Sequence, residues 1–114
     1  MEFDNTKPIY VQIADSFCDS VLSGTMNPGD RVPSVREWGA EIGVNPNTVA
    51  RSYELLTDRG VIFNKRGIGY FVTGSARDAI REVEKNRFLS EEWPAIRRKA
   101  ELLGIDLTEL INKR

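Results

Sequence analysis

The four residues Gly43-Val44-Asn45-Pro46 constrain this chain more than any others. Glycine adopts the left-handed backbone that ends a helix, and asparagine accepts the free N–H groups that begin one. Proline is pre-set for the first helical turn. One helix must therefore stop at Gly43 and the next start at Pro46, with only a tight turn between them. The flanking residues agree. Ser34 followed three residues later by Glu37 is a capping box, so Pro33-Ser34-Val35-Arg36-Glu37 opens the first helix. The second runs from about Pro46 to Arg59, with Val49, Tyr53 and Leu56 inward and Gly60 as its stop. Two helices joined in this way have helix-turn-helix spacing.

The chain before them carries Tyr10, Ile13, Ala14, Phe17, Cys18 and Val21, the one-sided stripe of an amphipathic helix over residues 7–23. Thr6 is its expected cap, Pro8 falls in its first turn and Gly24 ends it. Asn27-Pro28-Gly29-Asp30 then reads as a turn. Cys18 lies on the apolar stripe and reads as packing. After Gly60 the period changes. Val61-Ile62-Phe63 and Tyr70-Phe71-Val72 flank Asn64-Lys65-Arg66-Gly67-Ile68-Gly69, which predicts a hairpin with glycines at its tip. A lone two-stranded hairpin is marginal, so it must pack against the helices. Three helices followed by such a hairpin make a winged helix, an α+β fold that is mostly α.

From Ser75 the pattern is helical again. Ala76, Ile80 and Val83 share a face, and a second segment is expected after Phe88-Leu89, around Trp93-Pro94. Ile96, Ala100 and Leu103 continue it to Gly104, and Asp106 with Glu109 caps a last short helix bearing Leu107, Leu110 and Ile111. The domain reading is therefore 1–74 as a winged helix-turn-helix and 75–114 as a short helical tail. A tail of this length cannot close a core alone and must cover the first domain or a second copy of the chain.

Composition removes most catalytic classes. The chain has 114 residues, no histidine and one cysteine, which excludes Ser-His-Asp and Cys-His catalysis, His-ligated metals and an internal disulfide. No phosphate-binding glycine loop or carboxylate pair at helical spacing stands out, so no enzyme, metal or cofactor is expected. No apolar run approaches a membrane span and no signal peptide is visible, so the expected setting is cytoplasmic. The net charge of −1 looks wrong for a nucleic-acid binder. Residues 1–76 carry seven Lys/Arg against nine Asp/Glu, and residues 77–114 carry nine against eight. Nucleic-acid binding must rest on a local basic face.

Such a face is predicted. In a helix-turn-helix the second helix enters the major groove while the first crosses the phosphate backbone. The outward face of that second helix presents Asn47, Thr48 and Arg51, with Asn45 and Pro46 leading. Asparagine pairs with adenine edges in bidentate fashion, and Arg51 one turn on reaches a base or phosphate. Arg36 sits where a phosphate or guanine contact is expected, and Ser34 caps its helix while able to touch phosphate. Free N–H groups at the Ser34 and Pro46 helix starts are expected to favour anions. Lys65 and Arg66 beside Gly67 allow a close approach of the hairpin tip to the minor-groove edge. Each feature alone has an ordinary structural reading. Their joint order and spacing favours DNA.

Pro28-Gly29-Asp30-Arg31-Val32-Pro33-Ser34-Val35-Arg36-Glu37 resembles the PGxxLPSxRxLA signature of the GntR family. Gly43 to Leu56 is similar to its recognition-helix signature, and Gly60-Val61-Ile62 with Arg66 to Val72 to its wing. The resemblance covers residues 7–73. Trp38 stands where leucine is usual and Gly39 where alanine is usual, both at helix-packing positions. The resemblance implies DNA contacts at Arg36, Asn45, Asn47, Thr48, Arg51, Arg66 and Gly67. Some relatives have arginine where this chain has Pro46 and Ala50, which implies a different base readout. The short remainder is similar to the YtrA-type subfamily, whose two-helix tail mediates dimerisation and whose members often regulate nearby transporter genes. The resemblance therefore implies a bacterial transcriptional regulator, more often a repressor, that binds a double-stranded inverted-repeat operator as a homodimer. The alternative is a winged helix used as a protein-interaction module, which an apolar or acidic third-helix face would favour. Any small-molecule effector, and the operator itself, are outside what these residues specify.

Overall fold

A computed structural model describes residues 2–113, which form two compact units, one ending at Ile80 and one beginning at Arg81. The first unit opens with α1, Ile9–Leu22, followed by α2, Val35–Ile42, and α3, Pro46–Asp58. The hairpin strands β1, Ile62–Lys65, and β2, Gly69–Val72, come next, and then α4, Ala76–Arg87. The caps that the sequence predicts at the central turn form. Ser34 and Glu37 make the reciprocal box, and Gly43 ends α2 with φ +71°. Asn45 caps α3 and Pro46 takes its first position.

The α1 start departs from expectation. Pro8 precedes Ile9 with no side-chain cap, because the Thr6 hydroxyl and N–H both donate to the Asp4 carboxylate instead. Gln12 closes this N-terminal segment by donating to the carbonyls of Asp4 and Lys7 at 2.8 Å. The nearby polar side chain captured Thr6 before the helix could.

The core joins Phe17, Val21, Val49, Leu56, Val61, Ile62 and Val72, all buried. An aromatic row crosses it. Phe17 of α1 lies 5.8 Å from Trp38 of α2, Trp38 lies 5.8 Å from Tyr53 of α3, and Tyr53 meets Tyr70 of β2 edge-on at 5.1 Å. Tryptophan at position 38 thus bridges α1 and α3 with ring surface. Aromatic pairs at such distances add about 0.5–1.5 kcal/mol each beyond area burial.

The antiparallel hairpin pairs Ile62 with Val72 and Lys65 with Gly69. It gains a partner that periodicity does not reveal. Gly29 and Val32 donate to the Val72 and Tyr70 carbonyls at 2.9 and 2.8 Å, Val72 donates back to Asp30, and Arg31 bridges Phe71. The Gly29–Val32 segment is therefore a third edge, which offsets the marginality of two strands.

The first turns of α4 belong to this same core. Ala76 and Ile80 are buried in it, while Arg77 donates to the Val21 carbonyl at the end of α1 and to Asn27 Oδ1. The compact unit consequently extends past residue 74 to Ile80.

The second unit contains the rest of α4, α5, Trp93–Leu103, and α6, Leu107–Asn112. The second segment expected around Trp93-Pro94 is α5, and no loop separates it from α4. A π-helical turn, Phe88–Glu92, joins them, and the Trp93 N–H reaches back five residues to the Phe88 carbonyl. Pro94, second in α5, has no N–H to give the carbonyl four residues earlier, so the ladder widens there. Gly104 closes α5 with φ +70°, and the Asp106 side chain caps α6 by accepting from the Glu109 N–H.

Candidate nucleic-acid interface

The α3 helix separates its residues cleanly by face. Val49, Ser52, Tyr53 and Leu56 are buried, whereas Asn47 and Arg51 are exposed one turn apart and Thr48 is half-buried beside them. Asn45 is exposed at the leading end, where its Oδ1 accepts the Asn47 N–H at 2.8 Å. That bond commits the acceptor and leaves the amide NH2 as the group able to donate outward.

Two contacts fix how this face is presented. The buried Ser52 hydroxyl donates to the Tyr10 carbonyl of α1 at 2.7 Å. The Tyr53 hydroxyl donates to the Pro33 carbonyl, just before α2, at 2.6 Å. Burial raises the Tyr53 pKa above its ordinary value, and the Glu37 charge and Tyr70 push the same way, so Tyr53 stays a neutral donor. The turn between α2 and α3 is closed more tightly than an alanine allows. A Cβ built on Gly39 would lie 2.6 Å from the Val44 carbonyl oxygen, and that glycine's own carbonyl accepts the Val44 N–H at 2.9 Å.

At the start of α2, Ser34 Oγ accepts the Glu37 N–H at 3.1 Å, and the Glu37 carboxylate accepts the Ser34 N–H at 3.4 Å. The expected free N–H groups at the two helix starts are thus partly taken, by Glu37, Ser34 and Asn45 side chains. The Ser34 hydroxyl still has its own proton to donate. Arg36 is exposed in the first turn.

At the hairpin tip Lys65, Arg66 and Gly67 are all exposed. Gly67 has φ +79°, the Ile68 N–H returns to the Lys65 carbonyl at 2.9 Å, and a Cβ on Gly67 would meet nothing within 4 Å. The backbone needs glycine, and the space beside it is open to an approaching surface. Ion pairs among the described residues involve Lys7, Arg59 and Arg87, and none involves Arg36, Arg51, Lys65 or Arg66. These four cations therefore carry no carboxylate partner among the described residues, unlike Lys7, Arg59 and Arg87.

Two residues beside this face escape a reading of periodicity. Arg31 is exposed and its Nε lies 3.6 Å from where a Cβ on Gly69 would sit, so its guanidinium covers the hairpin. The Arg51 guanidinium carbon lies 4.3 Å from the centroid of the Tyr10 ring. Arg31 stands within the signature run but at a position without its own motif letter. Tyr10 looks like one more member of the α1 apolar stripe. Among the described residues no group of three or more His, Cys, Asp or Glu is placed to hold a metal ion, and no helix is long and apolar enough to cross a membrane.

This architecture and its exposed third-helix face define the winged helix-turn-helix class of DNA-binding proteins. Residues 9–72 match the model for bacterial regulatory proteins of the gntR family. The chain is 33% identical over 110 residues to the HTH-type transcriptional regulator YhcF of Bacillus subtilis, covering 96% of this chain and 89% of that protein. It is 35% identical over 106 residues to the HTH-type transcriptional repressor YtrA of the same organism, covering 93% and 81%. A crystal structure of a GntR-family regulator from Bacteroides thetaiotaomicron superposes with a TM-score of 0.75 at 46% identity, covering 90% and 89%. The chain belongs to the gntR family, in its short YtrA-like branch, and is a DNA-binding transcriptional regulator.

Proposed function

We propose that this regulator is a repressor that works as a homodimer on an inverted-repeat operator in the cytoplasm. The observation that carries the DNA-reading face is the unpaired, exposed set on α3, Asn47 and Arg51, with Thr48 and the Asn45 amide beside them. These groups contact bases. Arg36, the Ser34 hydroxyl, Lys65, Arg66 and the bare Gly67 backbone contact phosphate and the minor-groove edge. Repression follows by likeness to the named repressor among its relatives.

Residues 75–114 act as the dimerisation tail, with the first turns of α4 also serving the core of the DNA-binding unit, residues 1–74. Leu102, Leu103, Leu110 and Ile111 are 79%, 63%, 56% and 71% exposed, and Ala100 is the sole buried residue of α5. Apolar side chains in such density favour a cover, and a second copy supplies one with the two-fold symmetry that an inverted repeat mirrors. The test is stoichiometry. Sedimentation of the full chain with an operator-length duplex should give two chains per duplex, and a one-to-one complex would refute the dimeric reading.

A further inference from the structure

Tyr10 makes two different contacts with consecutive residues of α3. Its backbone carbonyl accepts the Ser52 hydroxyl at 2.7 Å, and its ring lies under the Arg51 guanidinium at 4.3 Å. The first contact belongs to the main chain and survives any change of side chain. The second belongs to the ring alone. Arg51 is exposed and pairs with no carboxylate among the described residues, so the half-buried ring of Tyr10 is what restrains its guanidinium.

We propose that Tyr10 positions Arg51 for DNA, holding the guanidinium plane over its ring so that the fork is pre-oriented before the groove arrives. The proposal rests on Arg51 being a DNA contact. A free arginine must surrender rotamer freedom when it docks, and stacking on a ring removes part of that loss in advance. A cation held over a ring by its π face keeps its N–H groups available, because the ring takes up no hydrogen-bond donor as a carboxylate would. A carboxylate in place of the ring would orient Arg51 equally well, but it would occupy those same groups and repel phosphate. An aromatic partner orients without competing. This gives α1 a part in readout beyond bearing the core stripe.

The test compares Tyr10→Leu, Tyr10→Phe, Arg51→Ala and the Tyr10→Leu/Arg51→Ala pair in the full chain. The probe is the duplex enriched from a random pool by the wild-type protein, together with its single-base variants. Tyr10→Leu is expected to weaken binding about threefold to tenfold, from the usual range of a cation–π contact. It should also relax discrimination at the same base pair that Arg51→Ala relaxes. The double variant should bind no worse than Arg51→Ala alone, and Tyr10→Phe, which keeps the ring, should match wild type. In the free protein, the ring-current displacement of the Arg51 side-chain proton resonances should persist in Tyr10→Phe and vanish in Tyr10→Leu. Additive losses in the double variant would overturn the positioning role. So would a Tyr10→Phe loss equal to that of Tyr10→Leu, which would assign the contact to the hydroxyl. Unchanged binding by Tyr10→Leu beside a weakened Arg51→Ala would overturn it while leaving the α3 face intact. An Arg51→Ala variant equal to wild type would refute the α3 reading and the positioning with it.

Discussion

The Tyr53 hydroxyl of α3 donates to the Pro33 carbonyl at 2.6 Å, tying the recognition helix to the residue that precedes the α2 cap. Pro33 cannot rotate freely about φ, so this bond fixes where α2 begins relative to the middle of α3. Tyr53→Phe would leave the Pro33 carbonyl without its side-chain donor, and should cost about 1–2 kcal/mol. Denaturant unfolding measures the loss.

The same tyrosine makes stability sensitive to alkali. Its pKa is raised in the fold above the ordinary value of 10.0, so the folded state holds the proton more tightly than the unfolded chain. The stabilisation is complete below pH 10 and falls as pH climbs beyond it, because the unfolded tyrosine ionises while the buried one does not. Unfolding midpoints of wild type and Tyr53→Phe, followed from pH 8 upward, should converge as the wild type loses this contribution. Parallel curves would refute it.

Gly39→Ala decides between two opposing effects. Alanine in a helix interior ordinarily gains about 1 kcal/mol over glycine. Here the new methyl would meet the Val44 carbonyl at 2.6 Å, a backbone atom that cannot move without opening the turn. Overpacking of this kind costs about 1–3 kcal/mol, so the net effect should be destabilising. Calorimetry should show a lower Tm, accompanied by weaker DNA binding because the angle between α2 and α3 changes.

At the hairpin tip, Lys65→Ala and Arg66→Ala should each weaken binding about equally for specific and unrelated duplexes. Each should also reduce the slope of log affinity against log salt by about one. Binding measured across a salt series reads both quantities. A base-specific loss would instead assign the residue to readout.

In the second unit, Leu103→Glu or Ile111→Glu should raise the Kd of the proposed dimer at least about tenfold, since a charge would enter its apolar contact. Sedimentation at graded concentration measures this. Unfolding of the first unit should be unaffected, because neither side chain belongs to its core.

How much of this is legible in the sequence depends on the range of each interaction. The α2–α3 turn is legible because each bond that Ser34, Glu37, Gly43 and Asn45 make there reaches no further than four residues along the chain, and Pro46 acts on its own backbone. Thr6 defeats the same logic, since Asp4, equally local, competes for it. The third edge at Gly29–Val32 is invisible to periodicity because it is too short to alternate and its partner lies some forty residues away. The π turn follows from Pro94 only once the helix is seen to continue through it. The proposed contact residues Arg36, Asn47 and Arg51 could be placed on faces from helical spacing, but the Tyr10 ring beneath Arg51 is tertiary. An aromatic on an apolar stripe gives no sign of what lies over it.

Selection of bound duplexes from a random DNA pool at near-physiological salt tests the central claim most directly. Enrichment of a single inverted repeat, with half-sites spaced for two recognition helices, is the result predicted for a homodimeric sequence-specific regulator. Salt-sensitive binding with no enriched sequence, or no binding at all, would contradict it.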